Sequence, residues 1–277
     1  MGGVEGDPGG TRFERVDLSG ARFERADLSG ASFHLVDLRD VRVHQALLQG
    51  AVLRGVELVD VAIDGEVAGL TINGVDVAPL VEAELDRRHP ERAKLRPTDP
   101  DGFREAWELI EGLWDDTFER ARQLDPELLH ASVDGEWSFI QTQRHLVFAT
   151  DAWVRRAMLG DPEPWDALDL PHDTFRELPG VPRDLEARPS LDEVLALRRD
   201  RMATVRWVIE GLTPERLSAH TTPVTEPGYP EPESFPVEAC LRCILSEEWH
   251  HRGYAERDLA VLTTSDRAGS PAADEAG

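Results

Sequence analysis

Large apolar residues recur every five positions through the first quarter of the chain: Phe13, Leu18, Phe23, Leu28, Phe33, Leu38, Val43, Leu48, Leu53, Leu58 and Ile63. Small or β-branched residues stand two positions earlier, as at Ala21, Ala26, Ala31, Val36 and Ala51. A period of five fits neither a strand's period of about 2 nor a helix's of about 3.6. It fits a solenoid whose neighbouring coils stack their inward residues on one another. The pattern therefore predicts that Phe13, Leu18, Phe23, Leu28, Phe33 and Leu38 point into a shared interior. The phase breaks over 65–80, where Leu70, Ile72, Val75 and Val77 alternate around Asn73-Gly74. That is a hairpin signal, and it closes the repeat. Pro79 leads into a charged helix ending near His89-Pro90.

From residue 101 the spacing becomes helical. Phe103, Trp107, Ile110, Trp114, Phe118 and Ala121 share one face of a first amphipathic helix over 101–123. Ser138 with Gln141 forms a capping box that opens a second helix, which runs to Gly160. Ser190 with Glu193 opens a third, and Pro236 with Glu238 a fourth. Long Pro-rich loops separate the second, third and fourth helices, as lids or crossovers do. The predicted organisation is a disordered N-terminus at 1–10, a repeat with its closing hairpin at 11–80, and a helical connector at 81–100. A four-helix domain at 101–263 and a small, polar, disordered tail at 264–277 complete it.

Composition narrows the function classes. The chain has 277 residues, 40% of them apolar, and no apolar run as long as the roughly 20 residues that span a bilayer. The stretch MGGVEGDPGG has neither the basic nor the apolar region of a secretory leader. Two cysteines make no disulfide framework, so a cytoplasmic location is expected. The basic residues are 29 Arg and one Lys, the usage of a GC-rich bacterial genome. A net charge of −24 argues against nucleic acid and anionic membranes as partners. The repeat is not a charged rod: residues 11–65 hold seven Arg against nine Asp or Glu. Mimicry of a DNA duplex is therefore disfavoured.

Chemistry concentrates in EEWHHRGYAERDL, 247–259. On a helix, Glu247 and His251 lie four apart on one face and can chelate a divalent metal together. A third ligand has to come from another helix, and His145 interrupts the apolar stripe of the second. One carboxylate with two imidazoles suits Zn²⁺, Ni²⁺, Fe²⁺ or Mn²⁺. Glu248 is the alternative to Glu247. His250 points about 100° from His251 and reads as a solvated or supporting residue. Cys240 and Cys243 form a C-x-x-C inside a helix, away from the βα junction of redox motifs, and read as small buried hydrophobes. Cys243, one turn before Glu247, is also a candidate pocket thiol. Arg252, Arg257 and Asp258 have the spacing of surface ion pairs.

Two resemblances follow from these motifs. The unbroken series TRFER, VDLSG, ARFER, ADLSG and onward resembles the pentapeptide-repeat family, whose fold is a right-handed quadrilateral β-helix with four pentapeptides per coil. The helical region, about 101–263, resembles the DinB superfamily, an all-α four-helix bundle that includes bacillithiol- and mycothiol-dependent S-transferases and a mycothiol-dependent maleylpyruvate isomerase. That family's usual triad is one histidine on helix two and H-x-x-x-H on helix four, the second histidine preceding R-G. HHRG puts that second histidine at His251 and the first at the position of Glu247; His145 matches the helix-two ligand. The carboxylate either makes the centre harder and more anionic or marks a member that has lost its metal. The resemblance implies a metal-dependent S-transferase or isomerase using a mycothiol-type thiol and an electrophile. Arg257 would hold a carboxylate of the co-substrate, the repeat would dock a protein partner, and the chain would form a homodimer. The competing reading is a non-catalytic interaction protein whose bundle is structural.

Overall fold

The computed structural model describes residues 12–24, 26–44, 46–65, 67–172 and 178–269, so the predicted disordered stretch 1–10 lies outside the described residues. The chain divides into two compact units, 1–42 and 43–277, and the division falls inside the repeat.

Within the repeat, local turn chemistry is regular. Asp17 accepts from the amide and hydroxyl of Ser19, Asp27 from the amide of Ser29, and Asp37 from the amide and guanidinium of Arg39. Each aspartate thus closes a turn onto the residue two ahead. A three-residue backbone bond follows: Ala21 to Leu18, Ala31 to Leu28, Val41 to Leu38 and Ala51 to Leu48. Gly20, Gly30 and Gly50 take up the left-handed conformation these turns need.

The predicted interior ladders are not observed. Phe13, Phe23, Phe33, Leu18, Leu28 and Leu38 are between 45% and 62% exposed. No strand forms among the described residues of 12–65, and the expected β-helix ladders are absent from them. A solenoid dries its apolar residues only where a neighbouring coil lies on them. Without a backbone ladder from turn to turn, each apolar side chain keeps a face to water.

Strands β1 (Thr71–Ile72) and β2 (Val75–Asp76) pair antiparallel, with Thr71 opposite Asp76 and Ile72 opposite Val75. Asn73 and Gly74 both have positive φ, the conformation a two-residue hairpin turn requires. Helix α1 (Ala78–Arg88) follows, then a 3₁₀ segment, Pro90–Leu95. Arg92 of that segment and Arg96 just after it fold back onto Glu82 and Asp86 of α1.

The helical domain begins with α2 (Pro100–Ala121), where Asp99 caps the amide of Gly102. Its predicted face is buried: Phe103, Trp107, Ile110, Trp114, Phe118 and Ala121. Each large one contributes about 1.5–3 kcal/mol by leaving water. Helix α3 (Phe139–Thr150) starts at the Ser138/Gln141 capping box, and α4 (Leu191–Glu210) at the Ser190/Glu193 box. A single turn, α5 (Pro214–Leu217), precedes α6 (Val237–Gly269). Helix α3 packs on α4 and α6, and α2 packs on α6 and α4. Among the described residues no helix is long and apolar enough to cross a membrane.

Two expectations need correction. The second helix does not run as α-helix to Gly160; from Asp151 to Met158 it widens into a π-helix. Asp151, at the transition, is fully buried and receives both Nε and Nη2 of Arg201 on α4, at 2.7 and 2.9 Å. The wider turn accommodates this fixed ion pair. The predicted disordered tail is helical as far as Gly269. The hydroxyls of Thr263 and Thr264 bond back to the carbonyls of Leu259 and Ala260, so these polar residues are satisfied on the helix itself. Residues 270–277 lie outside the described residues.

Asp169 gives a pH test of this core. It has no solvent exposure, and its Oδ1 has no hydrogen-bond partner. Burial, aided by the nearby Asp151 carboxyl, pushes its pKa up to about 8. An acid raised on folding stabilises most when protonated in both states, and that contribution declines as pH rises from the ordinary Asp range to the folded pKa. The unfolding midpoint should therefore fall between pH 5 and pH 8, and less steeply in Asp169→Asn. Equal slopes in the two proteins would contradict this.

Candidate metal centre

Helices α3 and α6 bring His145, Glu247 and His251 together. One ligand atom from each lies within 4.8 Å of the others. His145 Nε2 is 3.4 Å and His251 Nδ1 3.2 Å from Glu247 Oε2, and the imidazole centroids are 4.7 Å apart. The i, i+4 spacing stacks Glu247 and His251 on one face of α6. The neighbours turn elsewhere: Glu248 to Arg198 of α4, His250 to the Ser246 hydroxyl.

The tautomers are set by backbone carbonyls. His145 Nδ1 lies 3.0 Å from the Leu170 carbonyl, which can only accept, so Nδ1 carries the proton and Nε2 is bare. His251 Nδ1 lies 2.9 Å from the carbonyl of Glu247, with the same consequence for its Nε2. Metal-ligating histidines are oriented in this way by a carbonyl on the other ring nitrogen.

Burial pushes the His145 imidazole below its usual pKa; Glu247 opposes this and His251 adds to it. The cluster at neutral pH is thus a carboxylate facing His145 in its neutral form. Glu247 Oε2 is buried and has no hydrogen bond although two imidazoles flank it. A divalent cation satisfies such an oxygen, and two imidazoles with one carboxylate form a sound donor set for it. These residues fit a metal.

Aromatic rings surround the cluster. Trp137 lies 4.7 Å from His145 and stacks over His251 at 6.3 Å. His172 stands edge-on to Trp137 and to His145, at 5.8 and 6.3 Å. Phe148 is 6.1 Å from His145 and stacks on Trp165 and Tyr229. Burial raises the Tyr229 phenol, with Cys243 and Glu247 adding to the shift, so these groups line one region. Cys240 is buried, which pushes its thiol up to about 11, and Cys243 is half-buried; neither is in a disulfide.

Arg257 bonds Glu136 at 2.5 Å and Asp258 at 2.8 Å, and Asp64 stands 3.5 Å away. Glu136, which also meets His44 at 3.8 Å, immediately precedes Trp137. Trp137, Leu170, His172 and Tyr229 were not legible as site residues in the sequence. Trp137 had a usable signal: an apolar residue just before a capping serine packs back over the first turns of its helix. The other three sit in long loops, where no periodicity reports position.

Donors from two helices meeting under a cover of aromatic rings define a helical domain with a His–Glu–His cluster suited to a divalent cation. The chain belongs to the DinB superfamily, whose family model matches residues 109–255. Pentapeptide-repeat models match its N-terminal part in 8 copies, over 9–45 and 17–55. No curated protein and no solved structure matches.

The ring over the cluster makes a spectroscopic prediction. Co²⁺ or Ni²⁺ should quench part of the tryptophan emission to a stoichiometric end point, and Trp137→Phe should remove most of that quenching while still binding the ion. Quenching that persists unchanged in Trp137→Phe, or that never saturates, would contradict the geometry.

Proposed function

We propose that the protein is a metal-dependent enzyme of the thiol S-transferase or isomerase class, joining a mycothiol-type thiol to an electrophile. The observation that carries this is Glu247 Oε2, buried, without a hydrogen bond, and flanked by two imidazoles. His145, Glu247 and His251 would hold the cation, with Zn²⁺, Ni²⁺, Fe²⁺ and Mn²⁺ all compatible with the donors. A divalent cation, when bound, favours the thiolate form of a thiol at its open position. The chain's own residues do the rest. Leu170 and Glu247 carbonyls hold the imidazoles in their ligand tautomers. Trp137, Phe148 and Tyr229 supply apolar walls that limit water. Tyr229 lies close enough to Cys243 and to Glu247 to feel both charges.

Arg257 would have to give up Glu136 or Asp258 to grip a co-substrate carboxylate, so this reading does not rely on it. The repeat is proposed to dock a protein partner; its exposed Phe13, Phe23 and Phe33 support that role. The enzyme is proposed to work in a bacterial cytoplasm, in keeping with its arginine-rich, cysteine-poor composition. A homodimer is proposed from the family resemblance alone.

Protein loaded with a divalent metal should consume thiol and electrophile together. His251→Ala removes one of three ligands and should cost more than the about 10–100-fold typical of outer groups. His250→Ala should be mild, because its ring goes to Ser246. Small, equal effects of both substitutions, with no stoichiometric metal, would favour the interaction-protein reading instead.

A further inference from the structure

We propose that Arg198 is a positioning residue for the donor cluster: it ties α3 to α6 at the level of the ligands, an inference that rests on the divalent-cation reading. Arg198 lies on α4, which supplies no ligand. Its side chain has no solvent exposure. Nη2 donates to Glu248 Oε2 at 2.7 Å, and Nε donates to Gln143 Oε1 at 3.2 Å. Glu248 is the residue after Glu247, and Gln143 lies two before His145. One planar guanidinium therefore fixes both ligand-bearing helices beside their ligands.

Adjacent residues on a helix point about 100° apart, so Glu247 and Glu248 cannot serve the same centre. The structure gives them separate jobs: Glu247 faces His145 and His251, and Glu248 faces Arg198. The guanidinium also sits 5.7 Å over the Trp114 ring, which limits its swing. Lysine's single ammonium lacks the fork that reaches two partners in fixed directions.

Stability alone does not require this arrangement. Apolar residues of similar volume often replace a buried ion pair without loss, because desolvation consumes most of the Coulombic gain. The network is also incompletely satisfied, since Arg198 Nη1, Gln143 Nε2 and Trp114 Nε1 are buried without a partner. What the pair uniquely supplies is directional: it sets the separation and rotation of α3 and α6, on which the 4.8 Å convergence of the donors depends.

The test compares metal affinity with fold stability. Zn²⁺ affinity is measured by competition with a chromophoric chelator, Co²⁺ geometry by its visible absorption, and metal-free stability by thermal unfolding. The variants are Arg198→Met with Glu248→Leu, which leaves no buried charge, Arg198→Lys, and Gln143→Met. The double variant should keep a near wild-type unfolding midpoint yet lose about 10–100-fold in Zn²⁺ affinity, as outer-group changes do, with an altered Co²⁺ spectrum. Arg198→Lys should fall between it and wild type. Gln143→Met cuts only the α3 arm and leaves the ion pair, so it tests the idea should the double variant not fold; a loss of Zn²⁺ affinity is expected there too. Wild-type affinity in the folded variants would overturn the role of Arg198 while leaving the cation reading intact. A wild-type chain that takes up no metal would overturn both.

Discussion

Buried charge has to be neutralised where it lies, and in this protein that demand organises the helical core. Asp151 at the end of α3 meets Arg201 of α4, and Arg198, one turn earlier on α4, meets Glu248 of α6. Glu247 instead enters a region where the imidazoles of His145 and His251 lie against it. The first two carboxylates have a guanidinium; the third has none. Removing a charge from water is costly unless a counter-charge or hydrogen bonds meet it. The unmet oxygen of Glu247 is where the proposed cation would sit.

Much of the helical domain was legible because its signals are local. Ser138/Gln141 and Ser190/Glu193 mark helix starts that the structure reproduces, since a capping box satisfies orphan amides wherever it occurs. The pairing of Glu247 with His251 follows from helix geometry, and His145 announced itself as a polar residue on an apolar face. Features set by partners distant in sequence were not legible. The partner of Asp151, where the π-helix begins, is Arg201, fifty residues away, and the separate roles of Glu247 and Glu248 depend on where α3 and α4 pack. The repeat shows the converse failure. Its period was plain, and its turns obey it, but periodicity does not create the neighbouring layer that would bury Phe13 or Leu18.

The connection between repeat and helical domain is ionic in residues 43–277. Asp64 stands near Arg257 and His44 near Glu136, while Arg257 and Glu136 bond each other. Such pairs are worth little individually when solvent reaches them. Their placement matters more than their strength, because Glu136 leads directly into Trp137 over the donor cluster. Arg257, read from sequence as a co-substrate contact, sits in this junction and already has its carboxylates. The last part of the repeat and the rim of the candidate centre are thus linked by ion pairs.

The central claim is that His145, Glu247 and His251 form one cation site, and X-ray absorption on Zn²⁺-loaded protein tests it most directly. The account predicts a low-coordinate shell at about 2.0–2.2 Å made of nitrogen and oxygen alone, with outer scattering from two imidazoles. A shell containing sulfur at about 2.3 Å, or one showing no imidazole scattering, would contradict it.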